Sequence, residues 1–344
     1  MKSKFLKLFT RWDFLVVAGV FILVLVLSYL TFFTPNYYSA NPPVTFDIKK
    51  GESFSSVVDR LYDQGIIPGK NNFKIAGFVY GAERKIRAAR FHIPNGLSYL
   101  DLLDLFISGE CDFQRTLTIK SGQTIKWLAH RLQKYLYIDS TEFVQLANNK
   151  DFVDSLGLKQ NSLEGYLFAA DYEIYERSSP REAITLFYNS FKEFYNDSLK
   201  IRTEKLGFTV HEIITLASII KGETNKEDEM SRISGVYHNR LRIGMKLQAD
   251  PTIQYVLPGG WKRLTFTDLE LDSPYNTYKY FGLPPGPINS PGKTAILAAL
   301  FPEKNNYLYF VADGTGGHLF GKTLTEHNNN VKKYRNWLRT QNSK

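Results

Sequence analysis

The chain has 344 residues, enough for two or three domains. Its 43% apolar and 15% aromatic content supports real cores and excludes a disordered protein. The net charge is +9, but Lys2, Lys4, Lys7 and Arg11 precede an apolar segment flanked only by Asp13; the remainder carries 39 basic and 33 acidic residues. That surplus is too mild and too dispersed for a nucleic-acid partner, and suits an anionic polymer or a membrane surface. The single cysteine, Cys111, excludes an internal disulfide, and its neighbours do not mark it as a nucleophile. There is no H-E-x-x-H, no Cys/His ligand spacing, no P-loop and no G-x-S-x-G, so no metal and no cofactor are expected.

Residues 1–12 read as a short basic tail and 13–34 as a membrane-spanning helix. Phe14 to Phe33 is twenty residues without a charge, long enough at 1.5 Å per residue for a bilayer core of roughly 30 Å. The apolar run exceeds a signal-peptide core, which favours an uncleaved anchor, with Ser39-Ala40 as a weak alternative cleavage site. The basic residues on the N-terminal side predict a single-pass protein of the cytoplasmic (inner) membrane, tail in the cytoplasm and body outside. A proline-bearing linker, 35–44, follows.

An internal repeat comes next. Ile48-Lys49-Lys50-Gly51-Glu52-Ser53-Phe54 matches Ile119-Lys120-Ser121-Gly122-Gln123-Thr124-Ile125 at an offset of 71 residues. Each copy predicts a strand, a glycine turn, a Ser or Thr cap and an amphipathic helix. Between them, Arg90–Ser98 predicts a strand and turn, and Tyr99–Ser108 a short helix. Such βα units resemble LysM-type modules, which bind N-acetylglucosamine polymers; a scaffold role is the alternative. This places a LysM-like subdomain at 45–115 and a second domain at 116–340 that opens on the second copy.

Residues 139–205 are expected to be mostly helical, with Phe187, Phe191 and Phe194 in the core. Thr209 and Glu212 form a predicted capping box for a helix that is apolar on nearly all sides. That helix ends in Ala217-Ser218-Ile219-Ile220-Lys221-Gly222-Glu223-Thr224, where Gly222 suggests a stop or bend. Burial and the negative end of the helix dipole both disfavour an ionised Glu223, as a general acid near neutral pH requires. A plain polar residue at a helix terminus is the alternative. Thr224 or Asn225 is the expected cap of a helix from Glu227 to Arg242 that ends at Gly244. From Gln248 onward turns and short strands are expected, including Pro258-Gly259-Gly260, a buried strand at Tyr307–Val311, and finally a polar helix, Thr325–Thr340. The overall class is α+β. The polar set Glu223, Gln248, Asp250, Thr252, Asn276, Tyr278 and His318 lies on or beside turns, where binding residues cluster; for Asp250, Thr252 and Asn276, turn formation is the competing role.

Several segments in order resemble the endolytic murein transglycosylases (the MltG or YceG-like family): Ala217-Ser218-Ile219-Ile220 with Glu223-Thr224, Asn239-Arg240-Leu241, Leu247-Gln248 with Asp250-Pro251-Thr252, Tyr275-Asn276-Thr277-Tyr278, Gly282-Leu283-Pro284-Pro285-Gly286-Pro287-Ile288, and Gly317-His318. The resemblance spans roughly 44–335 and implies a carbon–oxygen lyase that cuts the β-1,4 bond between N-acetylmuramic acid and N-acetylglucosamine in nascent glycan strands. A 1,6-anhydro end forms and chain growth terminates. Glu223 would be the catalytic acid and base, with Gln248, Asp250, Thr252, Asn276, Tyr278 and His318 binding substrate. Implied partners are peptidoglycan strands, the membrane and, in addition, peptidoglycan synthases. A non-catalytic peptidoglycan-binding scaffold for wall-synthesis enzymes is the competing function. Two departures stand out. Lys221 occupies a position that is commonly acidic or polar, and is expected to face solvent. The stretch Glu164-Gly165-Tyr166-Leu167-Phe168-Ala169-Ala170-Asp171-Tyr172 lacks the family's proline and has its Asp shifted by one.

Overall fold

A computed structural model describes residues 11–38, 41–258 and 262–342. The tail up to residue 10, Ser39-Ala40 and Gly259-Gly260 lie outside the described residues. The chain divides between Gln114 and Arg115 into two units, each with its own hydrophobic core.

Helix α1 (Arg11–Phe33) has no buried residue and is, among the described residues, the one helix long and apolar enough to cross a membrane. The first unit continues with β1 (Val44–Asp47), α2 (Phe54–Asp63), α3 (Lys70–Tyr80), β2 (Arg90–Ile93) and α4 (Tyr99–Ile107). Strands β1 and β2 pair antiparallel, with Phe46 opposite Phe91. Phe106 of α4 packs against both rings, at centroid distances of 6.0 and 5.0 Å.

The second unit opens with β3 (Gln114–Thr118) and α5 (Ile125–Leu136). The strand–turn–helix unit occurs three times, not twice. Phe91-His92-Ile93-Pro94-Asn95-Gly96-Leu97-Ser98-Tyr99 is the middle copy. Gly51, Gly96 and Gly122 take φ of 78°, 86° and 90° at the turn, a region closed to most side chains. Ser53, Ser98 and Thr124 then cap their helices by accepting the N–H of Ser56, Asp101 and Trp127.

Helices α6 (Ser140–Ala147) and α7 (Lys150–Ser155) follow, then β4 (Asp171–Tyr175), α8 (Pro180–Phe194) and α9 (Asp197–Lys205). Strand β4 departs from the helical expectation for 139–205. Tyr172 and Ile174 are buried while Asp171 and Glu173 are exposed, a period of two. It pairs with β3, where Thr116 donates to Glu173 and Thr118 to Asp171.

Next come α10 (Val210–Glu223), α11 (Glu227–Arg242), α12 (Asp250–Val256), α13 (Phe266–Leu269) and α14 (Gly292–Leu300). The Thr209–Glu212 capping box forms as predicted, and all eight residues from Ile213 to Ile220 are buried. Helix α10 is central, packing against α9, α11, α12 and α14. Gly222 does not stop it. A Cβ at Gly222 would stand 2.6 Å from Pro251 Cβ, so glycine here permits the close approach of α12. Lys226 is the N-cap residue of α11, and Thr224 instead accepts the Lys226 N–H at 3.0 Å. The region expected to be rich in turns and short strands also holds α12, α13 and α14; the first of these starts at Asp250-Pro251-Thr252, with proline in its first turn. Strands β5 (Tyr309–Ala312) and β6 (His318–Gly321) form a hairpin packed on α15 (Leu324–Asn342). Paired with β6 alone among the described strands, β5 is half-buried along its length, not fully buried as expected.

Candidate active site

Glu223 is the last residue of α10, where the helix leaves the core. Tyr237, nearly three turns into α11, donates its hydroxyl to Glu223 Oε1 at 2.5 Å. Burial pushes the Glu223 carboxyl up to about 7. The Tyr237 hydrogen bond and the Arg240 guanidinium pull it down, while the Asp250 carboxylate pushes it further up. Glu223 as a residue is half-buried, while burial dominates the shift of its carboxyl. The group is therefore poised near neutral pH with a hydrogen-bond donor and a cation ready for its ionised form.

Arg240 lies three residues after Tyr237, on the same face of α11, and is only 6% exposed. Its Nε donates to Leu308 O at 2.7 Å and its Nη1 to Leu247 O at 2.5 Å. The guanidinium also stands 5.6 Å over the Tyr309 ring. Sequence reasoning quoted Arg240 in a motif but gave it no role; buried arginine among long charged helix positions has no signature of its own.

Asp250 opens α12 and accepts the Tyr278 hydroxyl. Burial, then Asp250 and Glu223, raise the Tyr278 hydroxyl well above its ordinary range. Gln248 is exposed and holds a φ of 49°, a left-handed conformation that costs a non-glycine residue about 1–3 kcal/mol. Its N–H is fixed to Thr277 O at 3.1 Å. Glu223, Asp250 and Tyr278 thus come together, with Gln248 tied through its backbone to the residue before Tyr278.

The other predicted site residues are placed differently. Thr252 is fully buried, donating to Ala249 O and meeting the Thr277 hydroxyl. Asn276 is fully buried too; its Nδ2 donates to Leu269 O and Leu271 O, and its Oδ1 accepts the Tyr278 and Lys279 N–H groups. Both are buried in the loops that carry Gln248, Asp250 and Tyr278, and their hydrogen bonds run to neighbouring backbone and to the Thr277 hydroxyl. His318 is held by Glu229, Nδ1 to Oε2 at 2.8 Å. It reaches the Glu223 side only through rings, edge-on to Phe310, which in turn meets Tyr237.

Lys221 is half-buried, with its amine in an exposed hydrogen bond. Its Nζ donates to Asn225 Oδ1 at 2.6 Å beside a small cavity that also meets Glu227 and Asp171, and burial lowers its pKa. Charged groups that act on Glu223 are Asp250 and Arg240, with Lys221 turned elsewhere. Asp171, in the departing stretch, is spent on the Thr118 hydroxyl. Glu164 of the same stretch is a second buried carboxyl, pushed up to about 8 by desolvation although it accepts the N–H groups of Ile125 and Gly165. Among the described residues no cluster of His, Cys, Asp and Glu could hold a metal ion.

A family model described as the YceG-like family matches residues 46–333. A Bacillus subtilis (strain 168) protein named endolytic murein transglycosylase is 30% identical over 305 residues, covering 85% of this chain and 84% of that one. A Streptococcus pneumoniae (strain R6) protein of the same name is 29% identical, covering 85% of this chain and 58% of that one. The crystal structure of a YceG-like protein from Listeria monocytogenes superposes with a TM-score of 0.59 at 30% identity, over 83% of this chain and 98% of that one.

Proposed function

Because the chain belongs to the YceG-like family, we propose that it cleaves murein glycan strands endolytically, as a lytic transglycosylase with Glu223 as its one acid and base. The observation that carries this reading is the Glu223 carboxyl, buried, poised near 7, and joined to Tyr237. Protonated Glu223 gives its proton to the oxygen of the β-1,4 bond after N-acetylmuramic acid, and the C1–O4 bond breaks. The Glu223 carboxylate, stabilised by Tyr237 and Arg240, then takes the proton of the same sugar's C6 hydroxyl, whose oxygen bonds C1. A 1,6-anhydro end results and Glu223 regains its proton. Hydrolytic glycosidases use two carboxylates to manage a water; here the nucleophile is already in the substrate, held close to C1.

Gln248, Asp250 and Tyr278 hold the sugar beside Glu223. The exposed helix α1 anchors the chain in the cytoplasmic membrane, with the basic tail inside and both units outside. The strand–helix–helix–strand order of β1, α2, α3 and β2 supports a LysM-like subdomain, and cutting strands near the membrane would end their growth beside the synthases. Purified protein incubated with sacculi should release fragments with 1,6-anhydro ends, detected by mass spectrometry. Glu223→Gln should lower release about a hundredfold or more, the usual scale of general acid–base catalysis. Equal release by Glu223→Gln, or reducing ends in place of the anhydro ring, would overturn the mechanism.

A further inference from the structure

The chain leaves α1 with almost no slack. Only Thr34 and Pro35 separate Phe33 from Asn36, whose N–H donates to Leu97 O at 2.9 Å and whose carbonyl accepts the Gly96 N–H at 3.0 Å. Tyr38 is held as closely, its N–H donating to Asn95 Oδ1 at 3.0 Å and its hydroxyl to Ile93 O at 2.5 Å. The last turns of α1 also meet the first unit. They pack against α3 and α4, and Phe32 joins that unit's core. Ser28, Thr31 and Phe32 are half-buried in a helix whose other residues are exposed. A bilayer core of roughly 30 Å takes about twenty residues of helix, and α1 has 23. A spanning α1 therefore makes these contacts at the edge of the lipid.

Helix α3 is packed on one side only. Phe73, Ala76 and Gly77 are buried, and the Phe73 ring meets Phe54 and Tyr99 at 5.9 and 5.3 Å. Ile75, Phe78 and Val79, spaced to share one face, are 53%, 74% and 78% exposed. Asn72 lies on the same stripe, seven residues before Val79. It lines a cavity of about 400 Å³ together with Leu30, Thr31 and Thr34. The bare apolar face thus begins beside the end of α1 and runs on from it. Contiguous exposed side chains of this size mark an interaction surface. The charged residues of α3, Lys70 and Lys74, are both basic, which suits an anionic headgroup layer. Tyr37, 77% exposed just beyond α1, is a residue type enriched at membrane–water boundaries.

We propose that α3 is a second membrane contact: Ile75, Phe78 and Val79 enter the boundary between headgroups and acyl chains of the leaflet from which α1 emerges. Amphipathic helices bind bilayers in this way, by apolar area on one face and basic residues beside it. The occupant of the face is lipid because a two-residue connection from a spanning helix leaves the bilayer as the apolar phase within reach. The first unit is then held against the membrane in one orientation instead of swinging from a tether. This rests on the reading of α1 as an anchor, and is independent of Glu223 and of the direction in which α1 crosses.

Spin labelling of the full chain in vesicles of phosphatidylethanolamine and phosphatidylglycerol, in equal parts, tests the contact. Cys111 is buried, so a nitroxide goes to Ile75→Cys, Phe78→Cys or Val79→Cys, and the chain without added cysteine gives the background. Power saturation compares collisions with oxygen, which enters lipid, and with a water-soluble nickel chelate. Leu25→Cys in α1 calibrates the lipid core, and free label in buffer the aqueous limit. All three α3 labels should be reached more by oxygen than by nickel, between the two references. Adding Phe78→Asp with Val79→Asp, both exposed positions, should shift the Ile75 label to the aqueous limit and leave the Leu25 label in lipid. Labels at Phe78 and Val79 that stand at the aqueous limit while Leu25 stays in lipid overturn the α3 contact and leave the anchor. Labels shielded from both reagents would mean that protein, such as a second copy of the chain, covers the face, which also overturns it. A Leu25 label at the aqueous limit overturns the anchor itself and the α3 contact with it.

Discussion

The proton on Glu223 depends on two neighbours that act on its charged form, Tyr237 and Arg240. Removing the Tyr237 hydroxyl takes away a bond that favours the carboxylate, so the carboxyl pKa rises further. Donation in the first step needs the protonated form, and a rate that depends on it falls as pH passes the pKa. Tyr237→Phe should therefore move the alkaline limb of the pH–rate profile of glycan release upward from about 7. It should also slow turnover about tenfold to a hundredfold, since a hydrogen bond to a charged group contributes about 1.5–3 kcal/mol. An alkaline limb that stays in place would show that Tyr237 does not act on this proton. The cation concerned could not be read from sequence. Lys221 is two residues from the acid in the chain, but successive helix residues point about 100° apart, and its amine turns to Asn225. Arg240, seventeen positions later, is brought in only because α11 packs back along α10.

Between helices, the contact that sets the site is the approach of α12 to the end of α10. A methyl at Gly222 would meet Pro251 Cβ at 2.6 Å and Cγ at 2.9 Å, both in a rigid ring at the start of α12. Neither atom can swing away, so α12 must shift and carry Asp250 from Tyr278. Gly222→Ala should cost about 1–3 kcal/mol as overpacking, despite alanine's better helix propensity. Thermal unfolding would give the lower Tm, and glycan release should fall more than that instability accounts for. Stability equal to or above the wild type would mean the two helices are not held this tightly. This contact also marks the limit of what was legible in the sequence. Local signals were read correctly where the physics is local, as with the Thr209–Glu212 box and the capped βα turns at Ser53 and Thr124. Gly222 was misread because a stop glycine and a close-contact glycine look alike until Pro251 is placed beside it. The burial of Thr252 and Asn276 was illegible for the same reason. A polar residue in a motif is required equally for touching substrate and for bracing the residue that does, and only burial separates the two.

Across the whole molecule, two buried carboxyls make folding stability depend on pH near neutrality. Glu164 and Glu223 are raised from 4.5 to about 8 and about 7. Each binds its proton more tightly folded than unfolded, so its contribution is fully present below about pH 4.5 and lost as pH rises through the folded value. Other groups act in other windows. Asp59, Asp268 and Asp272 are lowered by hydrogen bonds and nearby lysines, so what they contribute is lost only in acid. Burial lowers His238 and His327, which makes stability fall as pH drops below the ordinary histidine value and so opposes the carboxyls there. The interval from pH 6.5 to 8 is where Glu164 acts with least opposition. Denaturant unfolding of the second unit should show stability falling with pH across that interval, with a slope of up to about 1.4 kcal/mol per pH unit for each group. Glu164→Gln keeps the shape and an acceptor for the Ile125 N–H but removes the titration, so its stability curve should be flatter by one group's worth. A Glu164→Gln slope equal to the wild type would mean that Glu164 ionises in the folded state near its ordinary value.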